Sequence, residues 1–180
     1  MLPAGATAAY AYVGLPELGA GFRQGLSLGE WEVRGRVDYL ALTAAGELSG
    51  KVAFRPLPRL EVGPHLGVGI AISSGVRFFD PYAFSYVGLR LLGGASVSYR
   101  ATETVMLLGR VEVPYDQPLA TGGGGHLRAL GGGGVEVYLA DDLSAVALAE
   151  AGLDYLKQPL GVPVARFFYQ LALGIGLRLF

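Results

Sequence analysis

Residues 30–39 read EWEVRGRVDY, and their alternation leaves few options for the fold. On an extended strand, Glu30, Glu32, Arg34, Arg36 and Asp38 point to one side, and Trp31, Val33, Gly35, Val37 and Tyr39 to the other. A helix would scatter the same charges around its circumference. The segment therefore predicts a strand with one charged wall and one apolar wall, and the fold turns on which of the two faces water.

Composition bears on that choice. The chain is 52% hydrophobic and 16% charged, where a soluble domain carries about 25% charged residues. Its mean hydropathy is positive, yet charges or prolines interrupt every apolar run before the roughly 20 residues that a spanning helix needs. Lipid admits only helices and closed barrels, because every backbone polar group must be satisfied internally. The expectation is an all-β protein: a closed antiparallel up-and-down transmembrane β-barrel, formed by residues 1–180 as a single domain. A net charge of -1 without a basic patch gives nucleic acid nothing to bind. The absence of cysteine removes disulfides and thiolate chemistry. The N-terminal MLPAGATAAYAYVG lacks the basic region of a signal peptide, so the numbering is expected to start at or near the mature chain.

Taken in order, strands are predicted over 5–14, 20–28, 30–43, 47–55, 60–72, 84–100, 104–113, 126–139, 143–155 and 164–180. That makes ten strands by preference, or eight if residues 1–28 lie outside the wall. Connections after 28, 55, 100 and 139 are short, and those after 72, 113 and 155 are longer. Outer-membrane barrels show this asymmetry between periplasmic turns and external loops. The aromatics sort in the same way: Trp31, Phe54, Tyr99, Tyr138 and Phe180 fall at the short-turn end, and Tyr39, Tyr155 and Tyr169, with Tyr82 and Tyr115, at the other. They predict two girdles, one at each membrane interface.

A soluble barrel of the lipocalin kind is the rival, since alternation alone does not say which face is inside. Its outer face on the last strand would be Arg166, Phe168, Gln170, Ala172, Gly174, Gly176, Arg178 and Phe180, a poor surface for water. The partner face, Phe167, Tyr169, Leu171, Leu173, Ile175, Leu177 and Leu179, is continuously lipophilic. Turning the charges of residues 30–38 toward lipid would instead cost about 2–4 kcal/mol for each midplane arginine.

With this pattern in hand, the chain resembles the small bacterial outer-membrane β-barrels, the class of the OmpA transmembrane domain and OmpX. The C-terminal GIGLRLF is similar to the aromatic-ending signal of such barrels, although Phe180 follows the lipid-facing Leu179 and so falls one residue out of step. The resemblance implies integral residence in the outer membrane of a Gram-negative bacterium. It also implies membrane lipid and lipopolysaccharide, and the outer-membrane assembly machinery, as partners. The class includes structural proteins, adhesins, enzymes and pores, so function must come from the residues.

A hydrolase would need a nucleophile with a histidine base, and the only histidines are His65 and His126. His65 is expected in the lumen and His126 as a solvated loop residue; neither shows a catalytic pattern, and no metal-ligand spacing is visible. The expectation is a non-enzymatic protein without cofactors or metals. The predicted lumen carries Arg23, Glu32, Arg34, Arg36, Asp38, Lys51, Glu61, His65, Arg90, Arg110, Glu112, Arg128, Glu136, Glu150, Arg166 and Arg178. These charges read either as a paired plug or as the lining of a thin water path. Ala129, Gly131, Gly133, Ala145, Ala147 and Ala149 make a smooth outward patch that could dock another membrane protein. The predicted function is a narrow, porin-like passive pore or a structural membrane component. The alternative is a plugged barrel that binds or adheres through that patch or through loops 73–83 and 114–125, with Phe78, Phe79, Tyr82 and Tyr115.

Overall fold

The computed structural model describes residues 2–77, 80–120 and 124–179. It contains eleven strands: β1 (Thr7–Leu15), β2 (Glu17–Gly25), β3 (Gly29–Asp38), β4 (Thr43–Val52), β5 (Phe54–Leu57), β6 (Leu60–Ser74), β7 (Ser85–Arg100), β8 (Val105–Pro118), β9 (Gly125–Tyr138), β10 (Leu143–Lys157) and β11 (Val164–Leu179). Except for β4 and β5, which both pair with β6, neighbours in sequence pair antiparallel, and β1 pairs β11, so the wall closes with ten strands. Residues 1–28 do not stand apart from it: β1 holds β11 from Thr7↔Leu179 to Leu15↔Leu171 and β2 from Thr7↔Gln24 to Val13↔Leu18. The eight-stranded alternative is thereby excluded.

The extra strand, β5, is the continuation of β4. The β4–β6 register runs from Thr43↔Ser73 to Lys51↔His65, and Phe54↔Val62 stays in step with it. In between, Val52 would face Pro64, which has no N–H to offer a ladder, and the pairing breaks there.

Two boundaries differ from the sequence reading for identifiable reasons. The strand predicted over 30–43 stops at Asp38, whose carboxylate accepts the backbone N–H groups of Leu40 (3.2 Å) and Ala41 (2.9 Å). This Asx turn competes successfully with the ladder. The chain reverses over 39–42, and residues 44–46, expected as a turn, lie inside β4. Similarly, residues 114–118 and 125, expected in a loop, belong to strands, because β8 runs on to Pro118 and β9 begins at Gly125.

The two walls of β3 now have addresses. Arg34, Arg36 and Asp38 are buried inside the barrel, while Val33 and Val37 are exposed on its outside. The same holds around the ring: Leu66, Val68, Ile70, Leu89, Leu171, Leu173 and Ile175 all face outward. A contiguous apolar exterior of this extent is incompatible with water, and the barrel spans a membrane. The connections 26–28, 58–59, 101–104 and 139–142 lie at one end, here the turn end, and the single residue Pro16 together with 39–42, 75–84, 119–124 and 158–163 at the other, the loop end.

Trp31, Phe54 and Tyr99 stand outside near the turn end, and Tyr39, Tyr155 and Tyr169 near the loop end. Gln24, which spoils the apolar side of β2 in sequence, sits opposite Trp31 and accepts its indole N–H at 3.1 Å. That bond supplies the polar partner an interfacial tryptophan requires. Tyr138 is a correction. Its register partner Ser144 faces the lumen, and Tyr138 lines the interior beside it instead of joining a girdle. Phe180 lies outside the described residues.

Candidate functional site

The lumen is the site, and strand alternation builds it. Even-numbered residues of β3, β8, β9, β10 and β11 point inward, as do odd-numbered residues of β4 and β6. Closure then brings together charges that are remote in sequence.

At the centre, Glu47 accepts hydrogen bonds from three arginines: Arg34 (3.0 and 2.7 Å), Arg36 (2.8 Å) and Arg90 (3.0 Å). Glu112, from the facing wall, takes Arg34 at 3.1 Å and Arg36 at 2.9 Å, with Arg110 at 3.7 Å. Arg110 in turn donates twice to Glu150, at 2.8 and 2.5 Å. Removing such charges from water is expensive, and only this density of charge-assisted bonds offsets it.

Toward the loop end the network continues. Asp116 binds Arg90 at 2.5 and 2.7 Å and the Tyr86 hydroxyl at 2.7 Å. Asp154, with no exposed surface, collects His126, Arg128 (3.5 Å) and Arg166 (2.8 Å). Arg128 reaches across to Asp38 at 3.1 Å and lies 4.0 Å over the Phe168 ring. Above these, Ala45, Ala71, Phe84, Tyr86 and Leu156 form a small apolar cluster. The void left between Arg36, Arg90, Pro114, Asp116, His126 and Arg128 is about 10 Å³, room for at most one water. The loop-end half of the lumen is filled.

Asp80, in the connection between β6 and β7, is pinned to this network. Arg166 donates to both oxygens of Asp80, each at 2.7 Å. Burial alone would raise the Asp80 carboxyl; the hydrogen bonds from Arg166 outweigh it and hold the group below the usual carboxylate range.

The turn-end half is hollow, with a cavity of about 320 Å³. Tyr10 and Tyr12 project into it and donate to Glu32 and Glu17, each at 2.5 Å. Lys51 pairs with Glu30 at 3.3 Å, and Glu61 lies 3.8 Å from Lys51 and 3.4 Å from Arg55. Arg23, His65, Glu136 and Arg178 also line this chamber, and Glu136 accepts from Ser144 at 2.7 Å. The mouth is narrowed by residue 2, whose backbone N–H donates to Glu30 at 3.2 Å.

Several placements depart from the sequence reading. His126 is 8% exposed and bound to a carboxylate instead of being solvated in a loop; the four glycines before it disguised the start of β9. Glu17, Glu47, Asp80 and Asp116 join the lumen networks without having been singled out, and Glu30, which alternation places on the charged wall of β3, joins them as well. For Glu47 the alternation of β4 was a sufficient signal, while Asp116 was hidden by reading 114–125 as loop. Tyr115 stands on β8, its hydroxyl on Gln117 at 2.7 Å; Tyr82 is in loop 75–84, and Phe78 and Phe79 lie outside the described residues. The small-residue patch is on the outer face of β9 and β10, where Ala149 pairs Gly133 and Ala147 pairs Val135. Met106, Leu108, Val146 and Leu148 point inward and were not anticipated. Their signal was present, since β8 and β10 are apolar on both faces there.

No family model matches the chain, and no curated protein does. Among solved structures it is similar to one described as "De novo design of transmembrane beta-barrels", at 13% identity and TM-score 0.41, over 99% of this chain and 98% of that one. It is also similar to the KdgM porin in complex with disordered oligogalacturonate, at 6% identity and TM-score 0.43, over 97% and 99%. The KdgM porin alone gives 6% identity and TM-score 0.42, over the same shares. These likenesses concern barrel architecture; they do not single out the OmpA and OmpX group.

Proposed function

We propose that the protein is an integral outer-membrane barrel of a Gram-negative bacterium whose lumen is plugged, a non-enzymatic component of the membrane wall that conducts no ions at rest. The observation that carries this reading is the ion-pair network linking Arg34, Arg36 and Arg90 to Glu47 and Glu112, which crosses the whole lumen. By the convention of short periplasmic turns and longer external loops, the turn end faces the periplasm and the blind chamber opens there.

A small passive pore is the second reading. What favours it is the 320 Å³ chamber, which would serve as the vestibule of a path interrupted by the ion-paired side chains and the small apolar cluster of the loop-end half. Single-channel recording of the refolded protein in a planar bilayer separates the two, with insertion verified by heat-modifiable gel mobility. A silent bilayer is expected for the wild type. Steady conductance that changes in Arg34→Ala would overturn the plug and establish the pore.

A further inference from the structure

The turn-end chamber has a mixed lining. Tyr10, Tyr12, Arg23, Glu32 and Lys51 make the side formed by β1–β4 polar, while on β7, β8 and β10 Leu92, Met106, Leu108, Val146 and Leu148 add an aliphatic strip among polar residues such as Arg110, Glu136 and Ser144. The aliphatic side chains pack against no core: apart from Leu92, they keep free surface toward the void. Apolar surface held against water is unfavourable, and a chamber needing only to be filled with water would be lined more cheaply by serine or glycine.

Among the described residues that line the chamber, one buried side-chain nitrogen lacks a hydrogen-bond partner. Glu30 is taken by Lys51 and a backbone N–H, Glu32 by Tyr10 and Glu136 by Ser144. Arg23 differs: its Nε is buried without a hydrogen-bond partner, and its guanidinium lies 6.0 Å from the Tyr10 ring centroid. An arginine fork so placed suits a carboxylate. We propose that the chamber binds a small amphipathic carboxylate, its acid group on Arg23 and its apolar body against Leu108 and Val146. At about 320 Å³ the space is roughly twice the ~150 Å³ that admits benzene, enough for an aromatic ring with a short chain. The ligand enters and leaves by the turn end, and in that respect alone the inference rests on the plugged reading.

The test uses the full chain in phosphatidylcholine nanodiscs, with 4-(trifluoromethyl)phenylacetate followed by fluorine NMR at neutral pH. A saturable shifted resonance is expected. It should weaken about tenfold or more in Arg23→Gln, in line with losing a charge-assisted bond, recover in part in Arg23→Lys, and vanish in Leu108→Trp, which fills the chamber. The uncharged amide of the same probe should bind about tenfold more weakly to the wild type, a comparison that requires no variant to fold. No wild-type shift, an unsaturable shift that persists in Leu108→Trp, or equal binding of acid and amide would overturn the proposal. Because binding is read without a membrane potential, its failure and the appearance of conductance are separate results.

Discussion

Arg34 on β3 and Glu112 on β8 meet at 3.1 Å from opposite sides of the barrel, 78 positions apart in the chain. Neither can be removed without stranding others, because Glu112 also holds Arg36 at 2.9 Å and approaches Arg110 at 3.7 Å. Glu112→Ala should therefore destabilise the barrel by about 3–5 kcal/mol, the cost of leaving buried charge uncompensated. Urea unfolding from lipid vesicles, followed by Trp31 fluorescence, measures it. A loss under 1 kcal/mol would mean that water already screens these arginines.

The lipid face gives a contrasting expectation. Leu173 is 65% exposed on β11, between the Tyr169 girdle position and the turn end. Leu173→Arg should cost about 2–4 kcal/mol near the midplane, while Leu173→Phe should be close to neutral. Equal stability of the two variants in the same vesicles would refute the assignment of that face to lipid.

Asp80 and Arg166 clasp loop 75–84. The Asp80 carboxyl is held below its ordinary value of 3.8, so the folded state favours the charged form. The clasp is whole above that value and is lost as pH falls through the lower, folded-state value. Asp80→Asn should mimic the loss at neutral pH. Arg77, which donates to the Ala83 carbonyl at 3.2 Å in the same loop, should then become a faster trypsin site, read by gel and mass spectrometry. An unchanged cleavage rate would show that the loop is held by something else.

Two adjacent glycines should respond oppositely. A Cβ on Gly132 would sit 2.0 Å from the Ala149 carbonyl oxygen, whereas one on Gly131 would meet nothing closer than 3.7 Å. Gly132→Ala should thus lower stability by about 1–3 kcal/mol through forced backbone movement, with reduced refolding yield, and Gly131→Ala should fold normally. The pair of yields, read from heat-modifiable mobility, checks how closely β9 and β10 approach.

The alternation of Glu30 to Tyr39 was legible because a period of two shows within one strand without its partner, and following the same period along the whole chain led to the ten-stranded wall. What could not be read was partnership. Arg34 finds Glu112, and Arg128 finds Asp38, only through closure of the ring, which no local pattern encodes. Asp38 ended β3 early because its side chain captured two backbone N–H groups, a choice invisible to hydrophobic periodicity. Leu108 and Val146 were passed over because an inward-facing aliphatic in a polar lumen contradicts the class pattern. That contradiction is what marks the chamber.

The seam between β1 and β11 has a consequence for how the molecule is made. Thr7 pairs with Leu179, so among the paired residues the earliest from the ribosome waits for the last. Until β11 arrives, both flanks of the nascent sheet present bare N–H and C=O groups, and the most distant contact is also the one that closes the wall. Such long-range closure is slow. A chain shortened by its final strand would remain open-edged, with an apolar exterior and nothing to zip against, and would be a substrate for holding chaperones or proteases before it was a membrane protein.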